Sequence, residues 1–186
     1  MQIIKKFIFI LIFILVSFQA NASCKFDLKF GDDAKKVLEK YGPPMPSMHE
    51  GISMIPVAAD DVCPNEKLKD IAIEYRFLDN KDGASELAAI NLVALNDENN
   101  SVSEKFTLMN YAKKVYGKFD TGQNPSAYIG YEVFEKSNYY AVYQRVYEED
   151  KMINEQIYIS NKKYDKLLEQ FYKKMEEQSE TGSSNN

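Results

Sequence analysis

The chain has 186 residues and a formal net charge of −5, with 45% hydrophobic and 27% charged side chains. That balance suits one domain, or two small halves sharing a core, and its mild acidity argues against nucleic acid and an anionic membrane surface as partners. One histidine and two cysteines leave little material for a metal centre or for a nucleophile that needs an imidazole base.

The N-terminus reads as an export signal. Lys5 and Lys6 precede an apolar run from Phe7 to Phe18, and Ala20-Asn21-Ala22 supplies the small-x-small pattern of a cleavage site. The run is shorter than the roughly 20 residues a membrane-spanning helix needs. Residues 1–22 are therefore expected to be removed between Ala22 and Ser23, leaving no stable membrane span. Its short, compact form looks bacterial, which points to the periplasm. Losing both lysines takes the formal charge from −5 to −7. A lipid anchor on Cys24 is the rival reading. The small residues Ala22 and Ser23 suit a lipobox and Asn21 does not. Cys24 and Cys63 otherwise form an even pair in an oxidising compartment, where a disulfide is expected. Their spacing is not that of a metal site.

Residues 25–30 alternate polar and apolar, as a short strand does. Gly31-Asp32 opens a helix in which Asp32 can cap and Ala34, Val37, Leu38 and Tyr41 share a face. Gly42 and Pro43-Pro44 stop it. Residues 43–67 read as a long irregular loop, carrying five of the six prolines and His49. Ile71–Asp79 and Leu87–Asn96 read as strands around a turn at Asn80–Gly83. The second is apolar on both faces and so central.

Ser101-Val102-Ser103-Glu104 is a capping box. The helix it starts runs through Phe106, Leu108, Tyr111 and Val115 to Gly117. Ala127–Glu135, Tyr139–Glu148 and Met152–Ser160 then form an antiparallel meander with short polar turns. A final helix follows Asn161, with Tyr164, Leu167, Leu168, Phe171, Tyr172 and Met175 on one stripe. Residues 179–186 have the composition of a disordered tail. Residues 23–178 thus form one α+β domain, an antiparallel sheet of about five to six strands with helices on one face. A faint repeat, Ala34–Gly42 against Ala112–Phe119, suggests two helix-then-sheet halves, 23–100 and 101–178.

The segment Gly31-Asp32-Asp33-Ala34-Lys35-Lys36-Val37-Leu38-Glu39-Lys40-Tyr41-Gly42-Pro43-Pro44 resembles the opening of the SmpA/OmlA (BamE-like) outer-membrane proteins. The tandem arrangement is similar to that of the beta-lactamase-inhibitor-like proteins. The resemblance implies a shared α+β fold that acts by protein–protein binding, without catalysis or cofactor.

Side-chain alternation assigns candidate binding residues. Glu74 and Arg76, Asn154, Gln156 and Tyr158, and Tyr139, Tyr143, Arg145 and Tyr147 are expected to point away from the core. Tyr128 and Glu132 are expected to do the same. This places both arginines of the chain on a helix-free face rich in tyrosine, the residue types enriched at binding hot spots. No Gly-x-Ser-x-Gly elbow, phosphate loop or calcium loop is present, and Asp32-Asp33 and Asp60-Asp61 read as solvated or capping acids. The expectation is a non-catalytic exported binding module with no metal, serving as an adaptor to another envelope protein. The alternative is a small-ligand or carbohydrate binder whose 43–64 loop acts as a lid. A buried carboxylate pair would instead favour an enzyme.

Overall fold

The computed structural model describes residues 24, 26, 28–42, 51–79, 84–94, 107–123, 130–148 and 151–183, with the side chains of 121, 123, 146–148, 151–154 and 178–183 outside that set. The leader, the capping box at Ser101, the turn at Asn80–Gly83, Tyr128 and His49 lie outside the described residues.

The helices and strands follow in the order α1 (Lys35–Tyr41), β1 (Ile52–Ala58), α2 (Ala59–Val62), β2 (Ile71–Asp79), β3 (Ser85–Ala94), α3 (Thr107–Tyr116), β4 (Thr121–Gln123), β5 (Gly130–Glu135), β6 (Tyr140–Glu148), β7 (Lys151–Ser160) and α4 (Lys162–Ser183). The class is α+β, as expected. Seven strands form one antiparallel sheet in the order β1-β2-β3-β7-β6-β5-β4. The run β1–β3 and the run β4–β7 meet where β3 pairs with β7. The two strands that the sequence reading lacked are the two edges. Proline is tolerated in β1 because an edge strand has a side with no ladder to complete, and Pro56 is exposed there.

One face of the sheet carries the main core. Ile55, Ile73, Tyr75, Phe77, Leu92, Ile157 and Ile159 pack there with Val37 of α1 and with Leu108, Tyr111 and Ala112 of α3. Period-2 alternation in β2 and β7 put these residues on a common side, and period-3.6 alternation gave α3 its matching stripe. The segment before α1 is not a strand at its described residues. It is an apolar strap, with Phe26, Leu28 and Phe30 half-buried against the core, and the Cys24–Cys63 disulfide pins its start at a Cα separation of 5.0 Å. Asp32 is not the cap of α1. Its carboxylate accepts the Lys29 N–H and pairs with Lys36, while Asp33 accepts the Lys35 N–H.

The helices do not all share a face. Helix α4 lies across one end of the opposite side, where Tyr164 and Leu168 pack on Ile52, Ala88 and Ala89. Small residues in β3 let it approach closely, and a Cβ at Gly31 (φ +91) would stand 2.7 Å from the Tyr164 hydroxyl. Asn161 caps the helix by accepting the Tyr164 N–H. The Tyr164 hydroxyl donates to Glu86 at 2.7 Å. The helix runs on to Ser183, into the stretch whose composition suggested a tail. The rest of that second face, over β2, β3, β7 and β6, is uncovered by described helices.

Candidate functional site

Cross-strand partners share a face, so the register decides where the expected binding residues point. On the uncovered face one row runs Glu74, Asn91, Tyr158, Val142, and a neighbouring row ends in the pair Gln156 and Gln144. Arg76 stands beside Glu74, with Nη2 donating to Glu74 Oε2 at 2.9 Å. Glu74, Arg76, Gln156 and Tyr158 are therefore where the alternation placed them. Asn91, Gln144 and Tyr140 complete the group.

Tyr143 and Arg145 are not there. In the ladder Tyr143 pairs with Ile157, and Arg145 with Glu155. That register turns both toward α3, where they are 0% and 2% exposed. Tyr139 follows the same parity, half-buried with its ring edge-on to Tyr116 at 6.5 Å. Tyr147 shares that parity up to the irregularity between Val146 and Tyr147, and its side chain lies outside the described residues. Glu132 of β5 is also inverted, since it pairs with Tyr143. The face assignment in β6 failed because Val142 and Val146 weighed more than Ala141 and Tyr143. A charged side chain can take the inner side when opposite charges meet it there.

The result is two polar groups on opposite sides of one sheet. The inner group holds Glu132, Tyr143, Arg145 and Glu155 beneath α3. Glu155 Oε1 accepts the Met109 N–H at 2.8 Å and the Tyr143 hydroxyl at 3.1 Å, so it ties the sheet to the start of the described helix. Burial raises the pKa of both carboxyls, and the Met109 amide and the nearby charges offset part of that effect. Glu132 and Glu155 are buried carboxyls, at 1% and 0% exposure, but they stand in different rows two strands apart, one in line with Tyr143 and the other with Arg145. Glu155 spends one oxygen on joining β7 to β6 and α3.

A carboxyl whose folded pKa is raised binds more protons folded than unfolded, so its contribution to stability is full at low pH and is lost as pH rises through the folded value. Glu132→Gln is expected to flatten part of that loss. In urea titrations, the variant should gain on the parent steadily as pH rises above the ordinary glutamate value of 4.5. A constant difference at all pH values would show that Glu132 titrates as a solvated residue.

The outer group lines a recess of about 340 Å³. Gln156 Nε2 donates to Gln144 Oε1 at 3.0 Å, and the Tyr158 hydroxyl donates to Asp165 of α4 at 3.1 Å. Burial, with Asp165 beside it, pushes the Tyr158 phenol up to about 12. Tyr140 is raised by the same causes, and its ring lies 6.3 Å from that of Tyr158. Asn91 is 3% exposed. Its Nδ2 points to Glu74, and its Oδ1 and the Arg76 Nε are buried with no hydrogen-bond partner. A second recess of about 680 Å³ continues from Tyr140, Val142 and Asp165 past Lys136 and Lys163. A third, of about 460 Å³, lies on the other side between the strap and α3, with Phe26, Phe30, Tyr111 and Tyr116 in its lining. Among the described residues no three His, Cys, Asp or Glu side chains come together as a metal site requires.

No family model and no curated protein matches the chain. A crystal structure of a DUF4309 family protein (YjgB) from Bacillus subtilis is similar over 77% of this chain and 84% of its own, at 12% identity and a TM-score of 0.41.

Proposed function

We propose that the chain is an exported, non-catalytic binding module of the bacterial cell envelope that meets its partner on the uncovered face of the sheet. The observation that carries the reading is the floor of the 340 Å³ recess, where Asn91 Oδ1 and Arg76 Nε are buried with their hydrogen-bonding capacity unused. Buried polar groups are ordinarily satisfied, and this donor and acceptor beneath the recess would be completed by a bound molecule that displaces the side chains closing over them. The leader pattern supports export, as does the Cys24–Cys63 bridge, a crosslink typical of oxidising compartments.

The adaptor form of this reading loses its two strongest anchors, because Tyr143 and Arg145 belong to the core. What remains on the face is polar, with Val142 the one aliphatic side chain lining the recess, whereas the centre of a protein interface is apolar. A protein partner is better served elsewhere. Phe119 and Tyr131, 43% and 41% exposed beside the edge strand β4, offer such a patch.

Titration of the ¹⁵N-labelled mature protein with low-mass and macromolecular fractions of envelope extract tests the reading. Amide shifts are expected at Asn91, Gln144, Gln156 and Tyr158. Shifts confined to the Phe119 and Tyr131 end would move the function to that patch, and a spectrum that never changes would remove the binding role.

A further inference from the structure

We infer that the ligand of this recess is a neutral, hydroxyl-rich molecule of the saccharide class, an inference that rests on the binding reading above. The argument starts from charge. Glu74 neutralises Arg76 at 2.9 Å, and Asp165 adds a negative charge to the recess lining, while Lys136, Lys162 and Lys163 line the adjoining cleft and not the recess itself. A recess lining so balanced has no surplus positive charge to hold a phosphate or carboxylate. It also lacks the cluster of acids that would hold a multivalent cation.

Hydrogen-bonding capacity then narrows the class. The Gln144 and Gln156 amides use one donor and one acceptor on each other, which leaves Gln144 Nε2 as a donor and Gln156 Oε1 as an acceptor. The Tyr158 hydroxyl donates its hydrogen bond to Asp165 and keeps lone pairs to accept with. Asn91 Oδ1 needs a donor and Arg76 Nε needs an acceptor. The orientation of the Asn91 amide is set by the Nδ2 contact to Glu74. Donors and acceptors are thus both present on the face, and an anion or an ammonium could satisfy only one kind. A hydroxyl group donates and accepts at once, and a sugar ring carries several at fixed spacing.

The tyrosines supply the other half of the fit. Tyr140 and Tyr158 present rings against which the C–H face of a sugar can lie, and Val142, cross-strand from Tyr158, adds an apolar contact. The recess continues from these residues into the 680 Å³ cleft, which has room for further rings of an oligosaccharide. The site is on the face of central strands, away from both edges, so it does not suit a peptide that adds itself as a strand.

The experiment is a titration of the mature protein with neutral oligosaccharides, namely maltotetraose, cellotetraose and tetra-N-acetylchitotetraose, with tetraglycine and inorganic phosphate as controls. At least one saccharide is expected to shift the Gln144, Gln156 and Tyr158 amides. Its affinity should hold between low and high salt, since no ion pair forms. Gln156→Ala, and separately Tyr158→Phe, should each weaken it about tenfold, the loss expected for one hydrogen bond. Tyr158→Phe keeps the ring and the fold, so it decides the matter if Gln156→Ala melts. Saccharide shifts around Phe26 and Tyr111 would overturn the assignment. Shifts at the open face by tetraglycine or an extract protein, with none by any saccharide, would overturn the ligand class and leave the binding module standing. No shift from any probe or extract fraction would sink both.

Discussion

Arg145→Ala is expected to cost about 3–5 kcal/mol of folding stability, the usual penalty for removing one partner from a buried group of charges. Arg145 lies across the ladder from Glu155 at 2% exposure, and Glu132 and Tyr143 share its side of the sheet. Without the guanidinium the buried Glu155 loses the positive charge that faces it across the ladder. The cost then falls on Glu155, whose bonds to Met109 N–H and to Tyr143 hold α3 on the sheet. Urea melts of the parent, Arg145→Ala and Arg145→Met/Glu132→Gln/Glu155→Gln measure this directly. The triple variant should recover much of the loss, because removing all the charges leaves none unpaired. An Arg145→Ala protein that melts within about 0.5 kcal/mol of the parent would behave as surface substitutions do, and would return Arg145 to the outside of the sheet.

How far each element could be read depended on what it packs against. β2 was legible to the face because isoleucine and aromatics recur at every second position, β7 because Ile153, Ile157 and Ile159 keep that spacing around Glu155, and β3 was legible as central because both its faces are apolar. β6 was not, since Tyr140, Val142, Gln144 and Val146 on one side and Tyr139, Ala141, Tyr143 and Arg145 on the other are nearly equal in apolar content. The missing signal was in the neighbouring strand. Glu155 stands between Ile153 and Ile157 in the alternation, so a charge was already present on the apolar side of β7. A buried carboxylate calls for a buried cation, and Arg145 is the cross-strand residue that meets it. β1 was hidden by Pro56 inside a proline-rich stretch, although an edge strand is where proline is admitted. β4 has three residues, too few for any period to show. The stripe of α4 was plain, but nothing in a stripe says which side of a sheet it will choose. That depended on Ala88 and Ala89 leaving room in β3, and on Tyr164 finding Glu86. The outer recess was half legible for the same reason: Glu74, Arg76, Gln156 and Tyr158 came from well-patterned strands, whereas Gln144 and Tyr140 came from the inverted one, and Asn91 was masked within an apolar run.

Reduction of the Cys24–Cys63 bridge is expected to lower stability by about 4 kcal/mol, from the chain entropy that returns to the unfolded state when a loop of this length is opened. The two cysteines are 39 positions apart, and the loop they close holds the strap, α1, β1 and α2. Much of the main core's rim therefore depends on one crosslink. Phe26, Leu28 and Phe30 are half-buried, and the Tyr75 hydroxyl reaches the Phe26 carbonyl at only 3.4 Å. Contacts of that kind are too weak to hold the strap by themselves. The first effect of reduction should be loss of amide protection from the strap and β1, with β3, β7 and β6 protected until global unfolding. Intact mass of protein recovered from expressing cells should show cleavage after Ala22 together with a two-hydrogen loss, and a reductant should restore those hydrogens as the melting temperature falls. Cys24→Ser/Cys63→Ser should reproduce the melt of the reduced parent. A lipid adduct on Cys24 would replace the bridge with an anchor. A reduced protein that melts with the oxidised one would mean that the apolar strap is held by packing, and that the crosslink only records the compartment in which the chain folded.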